Sequence, residues 1–475
     1  MKFKWKTRKL GELVTFLSGG TPSKNNKDYW GGDIPWISAS SMQSTRYHDS
    51  DLRVTALGSS NGTRLVPEGT VLLLVRGGAL HNKIPVGITT REVTFNQDVK
   101  ALIPKTTEIT PYYLLSWLMS ERALLLSKVE NTGIGAGKLD TKILQDLDVL
   151  IPPKAELQRL ESFSRALDDK IILSDRINQT LEQMAQALFK SWFVDFEPVK
   201  AKIAVLEAGG SQEDATLAAM TAISGKDADS LAIFEQEHPE KYAELRAIAE
   251  LFPLAMQDSE LGEIPVGWFC TDLSYLALLN NSSWSKKNAP ESLKYVDLAN
   301  TKWGIIHSTE DFLFSDAPSR ARRILKPGDT IVGTVRPGNG SYAFIAEEDL
   351  TGSTGFAVLT PKHEHFSSFI YICATSKDNI ERLAHLADGG AYPAVNAEVI
   401  LSTPCIIPID HSSSKNLIEC FHYYVRELFA YKHNNLRQNK SLEQLRDTLL
   451  PKLLSGEITL PDAEEIAKEA DYVQS

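Results

Sequence analysis

An α+β architecture laid down twice is expected for this 475-residue chain. Three features point to it: an ordered internal repeat, short strand-like segments between turns in each copy, and two long helical runs. The repeat comes first, because a missed one misassigns the whole fold. Trp5, Leu10 and Leu13 recur as Trp268, Leu273 and Leu276, and LVPEGTVLLLVRG, ending near Arg76, recurs as LKPGDTIVGTVRP around Arg336. Both copies close an alternating apolar segment on Pro-Lys, at Pro104-Lys105 and Pro361-Lys362. ILQDLDVLIP (Ile143 to Pro152) parallels VILSTPCIIP (Val399 to Pro408), and NQTLEQ from Asn178 parallels NKSLEQ from Asn439. The order is preserved and every offset lies between 256 and 263, so the chain reads as two copies of one unit.

Within the first copy, Val71 to Val75 and Val99 to Ile103 have the β-branched, apolar character of buried strands. Ser18-Gly19-Gly20-Thr21-Pro22, Gly31-Gly32 and Gly77-Gly78 are turn clusters. Thr110 as N-cap and Pro111 in the first turn open a helix expected to run to about Lys128. After Pro152-Pro153, Lys154 to Trp192 contains no glycine or proline. It places Leu157, Leu160, Leu167, Ile171, Leu181, Ala185, Leu188 and Trp192 on one heptad seam, interrupted by Ser164, Ser174 and Asn178. At about 1.5 Å per residue this helix is roughly 55 to 60 Å long.

A second seam from about Ser414 carries Leu417, Phe421, Tyr424, Leu428, Tyr431, Leu442, Leu445 and Leu449, broken by Asn435 and Gln438. Such seams cannot stay in water alone. The two helices are therefore expected to pair as an antiparallel coiled coil, a spacer between two α+β domains. The expected boundaries are a first domain at 1–152, a spacer helix at 153–196 and a connecting insertion at 197–260. A second domain at 261–409, a second spacer helix at 410–458 and a tail at 459–475 follow. The insertion reads as an Ala- and Glu-rich excursion with one helix from His238-Pro239 to about Leu251.

Composition excludes several classes. With 43% apolar and 23% charged residues, wholesale disorder and fibrous structure are out. No apolar run of about 18 residues or signal-like start is present, so a soluble, cytoplasmic protein with no membrane partner is expected. Cys270, Cys373, Cys405 and Cys420 lack CxxC spacing and read as reduced core residues. The net charge of −11 argues at first against a polyanionic partner. However, residues 1–150 carry 19 basic and 14 acidic side chains, a local +5, so a cationic face remains open.

Catalytic patterns fail on spacing. Thr132 to Lys138 (TGIGAGK) lacks the first glycine and the final Ser or Thr of a phosphate loop and follows a helix rather than a strand. Pro152-Pro153 is followed by Lys rather than the aromatic of an amino-methyltransferase motif. His363-Glu364-His365 has no HExxH spacing and reads as a solvated loop. No nuclease metal cluster or activated nucleophile emerges.

Five motifs in order then resemble one family, the specificity subunit of type I restriction-modification systems. They are WKxxKLGE at Trp5 to Glu12, LxxIPxGW at Leu261 to Trp268, VLIPPKAELQ at Val149 to Gln158, SWFVDFE at Ser191 to Glu197 and LLPKLLSGEI at Leu449 to Ile458. The sequence departs from the family at Ile407 to Ser414, where IPIDHSSS replaces the usual Pro-Pro-x-x-x-Gln helix opening. The resemblance implies two target recognition domains, each reading one half of a split asymmetric site in double-stranded DNA, with helices fixing the gap. It also implies two methyltransferase (modification) subunits and two restriction/translocase subunits as partners. These would carry S-adenosylmethionine, ATP and Mg, with no cofactor, metal or catalytic residue on this chain.

Base-reading residues should be polar or cationic and sit on loops. Arg76 and Arg336 lead, read as equivalent repeat positions just after an apolar strand. Arginine can bind guanine O6 and N7 bidentately for about 1 to 3 kcal/mol; the alternative is an arginine paired with a carboxylate to close the turn. Further candidates are Lys24, Lys27, Asn82, Lys83, Asn96 and Gln97 in the first domain. In the second they are Lys286, Lys287, Arg320, Arg322, Arg323, Asn339, Ser341 and Tyr342, with Ser319 to Arg323 favoured as a phosphate anchor. Two rivals stand beside this reading. One is a two-lobed coiled-coil scaffold that binds proteins, and the other is a self-sufficient methyltransferase-nuclease fusion, disfavoured by the missing constellations.

Overall fold

The computed structural model describes residues 5–132, 135–390, 393–409 and 417–460. It divides into two compact units, one formed by Met1–Asp175 with Leu436–Ser475 and the other by Arg176–Asn435.

In the first unit, Val71–Leu74 is buried at every residue and forms the centre of a five-stranded sheet. The order is Val14–Ser18, Val99–Pro104, Val71–Leu74, Val86–Thr89 and Arg46–Tyr47, antiparallel except for the last pair. A second sheet runs Arg53–Val54, Trp30–Ile37, Val93–Phe95 and Leu65–Val66, with Trp30–Ile37 and Val93–Phe95 parallel. Lys6–Lys9 pairs antiparallel with Asp148–Ile151 and so ties the start of the domain to its end. The expected helix opens as read, with Thr110 Oγ1 accepting from the Tyr113 amide at 3.0 Å. It breaks at Glu121, however, whose ψ of 10° interrupts the ladder between Pro111–Ser120 and Arg122–Ser127.

The second unit repeats most of this topology, with a four-stranded main sheet that has no counterpart of the outer strand Arg46–Tyr47 among the described residues. One sheet runs Ala277–Leu279, Phe356–Pro361, Thr330–Gly333 and Tyr342–Phe344; the other runs Glu310–Leu313, Ser292–Val296, Leu350–Ser353 and Ala321–Leu325. Its parallel pair, Ser292–Val296 with Leu350–Ser353, falls in the matching place, and Trp268–Asp272 pairs with Pro404–Pro408 as Lys6–Lys9 does with Asp148–Ile151. The repeat in sequence is thus a repeat of topology.

Residues 197–260 are more than the expected excursion with one helix. Four helices, Glu197–Glu207, Gln212–Ser224, Ala228–Glu237 and Pro239–Leu251, enclose a small core of Ala219, Met220, Leu231, Leu245 and Ala249. Ser211 caps the second helix with a reciprocal box to Asp214, and Asp227 caps the third. Ile248 and Phe252 join the main core of the second unit, where the Phe252 ring meets Trp192 edge-on at 5.3 Å.

The long helices are Lys154–Phe193 and Leu417–Leu454; the expected start near Ser414 lies outside the described residues. They run antiparallel in each unit. In the first, Asn439 Nδ2 donates to Asp175 Oδ1 at 2.7 Å, Arg446 lies 3.8 Å from Asp168, and Leu449, Leu450 and Leu453 share a core with Leu157 and Leu160. In the second, Asn435 Nδ2 donates to Asn178 Oδ1 at 2.9 Å, Lys432 Nζ to Glu182 Oε2 at 2.7 Å, and Phe189 packs on Phe421. The expected seam needs two corrections: Tyr431 is 66% exposed and Gln438 is exposed, and Lys432 and Asn439 face inward in their places. The charge partner on the facing helix, Glu182, decides that phase over apolar spacing.

The four cysteines form no disulfide, and burial pushes the Cys373 thiol up to about 12. No described helix is long and apolar enough to cross a membrane.

Two stability predictions follow from buried charge. Glu182 and Lys432 are both mostly buried, so Glu182→Leu alone strands an ammonium and should cost roughly 3–5 kcal/mol, whereas Glu182→Leu with Lys432→Met should recover most of it. Urea unfolding of the three variants measures the difference. The second concerns Asp329, which closes the turn before Thr330–Gly333 by accepting from the Lys326 amide at 2.8 Å. Burial pushes its carboxyl up to about 6. Because the folded state holds this proton more tightly than the unfolded chain, its contribution is present below about pH 4 and lost as pH rises through about 6. Asp329→Asn should flatten that part of the stability–pH curve, measured by thermal melts between pH 4 and 7.

Candidate nucleic-acid interface

In the first unit, strand register brings four chain segments to one end of the five-stranded sheet. Ser18 lies opposite Lys100, Val99 opposite Leu74, and the Leu74 amide donates to Pro85 O at 3.0 Å. Segments 18–21, 75–77, 82–85 and 96–100 therefore emerge together. Gly19 makes the first of these possible: a Cβ there would fall 2.2 Å from Phe95 O, so only glycine lets the chain lie against the second sheet.

Several predicted residues meet at this end. Arg76 is exposed and makes no ion pair among the described residues. Gln97 is exposed and accepts from Thr21 Oγ1 at 2.7 Å. Asn82 and Lys83 are exposed, with Lys83 Nζ 3.3 Å from Gln43 Oε1. Sequence reasoning missed two further cations here. Lys100 donates to Ser18 Oγ at 2.5 Å, and Lys138 sits directly opposite Arg76 in the antiparallel pairing of Ala136–Lys138 with Arg76–Gly77. Lys138 shares its charge with Asp140 at 3.7 Å, which leaves Arg76 as the cation of this strand pair without an ion pair among the described residues. Only the register set by the hairpin pairing reveals that Lys138 faces Arg76.

Other candidates are placed elsewhere. Lys24 and Lys27 are exposed; Lys27 lies in the turn Lys27–Tyr29, whose Tyr29 O accepts from the Thr55 amide beside the second sheet. Asn96 is corrected from reader to structural residue. It is buried, its Oδ1 accepts from the Asp98 amide at 3.1 Å and its own amide donates to Ile37 O, because a strand leaving the sheet here needs its turn closed.

The second unit corrects the equivalence of the two arginines. Phe356 lies opposite Gly333 as Val99 lies opposite Leu74, so Val335 matches Arg76 and Arg336 matches Gly77. Backbone geometry agrees: Gly77 and Arg336 both have positive φ, 145° and 47°, and Val335 bridges Ala394 as Arg76 pairs with Lys138. Arg336 is exposed at the start of the turn Pro337–Asn339, and its amide donates to Pro393 O at 2.7 Å. Asn339 is exposed.

Ser341 and Tyr342 are corrected because both are buried. Ser341 Oγ accepts from Lys302 Nζ at 2.8 Å and donates to Leu298 O at 3.0 Å. Tyr342 opens a strand, and burial pushes its phenol up to about 12. They shape the sheet end instead of reaching out of it.

Lys286 and Lys287 are exposed on a turn closed by Asn288 Oδ1, which accepts from the Ser285 amide at 2.7 Å. The Ser319 to Arg323 cluster is only partly outward. Arg320 is exposed, but Arg322 lies over the Phe314 ring at 4.8 Å and donates to Ala321 O. Arg323 donates to Ser283 Oγ at 3.3 Å, and burial pushes its guanidinium downward. A register shift between Ala321 and Arg323 turns both against the strand, which removes them as two free phosphate anchors.

Each unit thus sets polar and cationic side chains on the loop ends of its sheet, on unlike residues, the arrangement a nucleic-acid-binding protein of the sequence-reading class requires. The model of the type I restriction modification DNA specificity domain matches residues 3–183. The chain is 32% identical over 370 residues to the HindI specificity subunit of Haemophilus influenzae, covering 75% of this chain and 79% of that one. It is 24% identical over 482 residues to the MjaIX specificity subunit of Methanocaldococcus jannaschii, covering 96% and 94%. Among solved structures, the type I S subunit from M. genitalium aligns over 95% of this chain and 96% of that one, with a TM-score of 0.44 at 13% identity. The chain belongs to the family of type I restriction enzyme specificity subunits.

The different placements of Asn96 and Arg76 separate fold from recognition. Asn96→Ala should lower unfolding free energy by about 1–3 kcal/mol, since it unpairs a buried turn. Arg76→Ala should stay within about 0.5 kcal/mol of the parent. Urea midpoints of the two variants test this directly.

Proposed function

We propose that this chain is the reader of a type I restriction-modification complex, with one domain for each half of a split, asymmetric DNA site and the paired helices fixing the unspecified gap. The observation that carries this reading is one scaffold presenting two chemistries. The same strand order and register in both units offer Arg76 where the second has Val335, and Gly77 where the second has Arg336. Unlike half-sites require unlike loop chemistry on heads that are otherwise alike. The gap-setting role is supported by the unbroken helix Lys154–Phe193, which contributes its first part to one unit and its second part to the other.

Arg76 is the leading base-contacting residue of the first domain and Arg336 that of the second, with Lys138, Lys100, Gln97, Asn82 and Lys83 beside the first and Asn339 beside the second. In this reading the chain itself is not catalytic. Adenine methylation from S-adenosylmethionine belongs to two methyltransferase subunits, and ATP- and Mg-dependent translocation and cleavage belong to two restriction subunits.

Mapping methylated adenines in DNA exposed to the reconstituted complex tests the proposal. A two-part asymmetric motif with a constant gap supports it, and methylation without such a motif ends it. Matched seven-residue insertions in both long helices should lengthen the gap. At about 1.5 Å per helical residue and about 3.4 Å per base pair, the expected change is about three base pairs. An unchanged gap in the remapped motif removes the helices from the spacing role.

A further inference from the structure

The second unit exposes an aromatic side chain that its own packing does not explain. The strands Thr301–Lys302 and Ile305–Ile306 form a tight hairpin that turns at Trp303 and Gly304. Trp303 has φ of 48°, a left-handed backbone that a bulky residue adopts only when its surroundings enforce it. They do so here: the Trp303 amide donates to Gly340 O at 2.7 Å and the Gly304 amide to Tyr342 O at 2.9 Å. The indole lies against Gly340, where a Cβ would fall 2.5 Å from the ring, and meets the Tyr342 ring edge-on at 6.0 Å. A rigid mount therefore holds a side chain that is still 59% exposed.

The surrounding chemistry identifies what the ring faces. Lys302, the preceding residue, is turned inward, with Nζ donating to Ser341 Oγ at 2.8 Å and reaching Asn339 O at 3.3 Å, and with the Asp297 carboxylate acting on its charge. Arg336 begins the adjoining turn and accepts the Asn339 amide at 2.8 Å. Neither segment 301–306 nor segment 336–342 contains a carboxylate, although residues 251–409 as a whole are net acidic. A flat, exposed apolar face beside a turn that carries the exposed Arg336 and Asn339 suits a polyanion with stackable faces. The hairpin also abuts the C-terminal helix, since a Cβ at Gly304 would fall 3.2 Å from Lys432 Nζ.

We infer that Trp303 is a fixed aromatic wedge that packs against one base step of double-stranded DNA at the spacer-side edge of the second half-site. This rests on the reader assignment above and adds a contact by which DNA stacking and deformability at that step are read without hydrogen bonds to bases.

The test uses the reconstituted complex and duplexes carrying its mapped motif, with 2-aminopurine placed at successive positions of the second half-site and the adjoining gap. With the parent chain, the emission change should be confined to one step. Trp303→Ala should abolish it and weaken binding to the mapped duplex roughly 5- to 150-fold, from about 1–3 kcal/mol per stacked base. Trp303→Phe should keep the signal and most of the affinity, and thermal melts should show both variants folded. Parent-like binding and emission by Trp303→Ala overturns the inference. So does loss of the methyltransferase subunit from that variant's complex on gel filtration, which would make the ring a protein contact. Failure of the parent complex to yield any motif overturns the reader assignment as well, and so is distinguishable from failure of the wedge alone.

Discussion

The antiparallel pairing of the two long helices is the constraint on which the rest depends, because each head completes its core with it. In the first unit, Leu157, Leu160, Leu449, Leu450 and Leu453 belong to the same buried cluster as the sheet residues Leu72 and Leu102. In the second, Phe189 and Phe193 each meet Phe369 of the head at 5.0 Å, and Trp192 and Phe421 pack on Phe193 at 6.2 and 5.2 Å. A head packed this way has a fixed orientation on its helices. Register is set by polar pairs within the seam, Asn178 with Asn435, Asp175 with Asn439 and Glu182 with Lys432, since a slip of one turn would bury each without its partner.

On that frame, divergence is confined to the sheet ends. Strand order and register are held by long-range pairing of buried residues, so they survive the replacement of nearly every loop side chain. Loop residues bear no such load. Arg76 can stand where the second unit has valine, and a left-handed slot filled by glycine in one unit holds an arginine in the other. The acidic total of the chain is compatible with this arrangement, because charge matters where it faces a ligand, and the first sheet end gathers Arg76, Lys83, Lys100 and Lys138 in one place.

The repeat, the strand segments and both long helices were legible in the sequence because they rest on local periodicity and on five ordered matches. What was not legible depended on pairing between distant segments. The one-residue offset between Arg76 and Arg336 exists only in the strand register, since the sequences align the two arginines perfectly well. Ser341, Tyr342 and Asn96 are polar residues near turns and look outward until the neighbouring strand covers them. Tyr431 fits the heptad, yet Lys432 points inward because Glu182 waits on the other helix. The insertion hid its four helices because alanine-rich helices in a small core show weak periodicity. Trp303, in a KWG turn, was likewise hidden by long-range pairing: such tips favour Asn or Asp before glycine, and it is the distant segment 340–342 that holds the tryptophan there.

Each head is also strapped to its helices by the segment that borders the outer strand of its main sheet, and the two straps use opposite chemistry. In the first unit, Thr45 Oγ1 donates to Asp168 at 2.7 Å and Arg46 binds Asp168 and Asp169 at 3.1 and 2.8 Å, so cations of the head meet acids of the central helix. In the second, the hairpin at Gly304 abuts Lys432, where the cation belongs to the helix. A head exchanged without its facing helix residues would thus strip Asp168 and Asp169 of their Thr45 and Arg46 partners, whereas Lys432 keeps Glu182 on the facing helix whichever head it carries. The unit that can be exchanged to change sequence preference in the first half is therefore a head together with Asp168 and Asp169, the helix acids that its Thr45 and Arg46 hold.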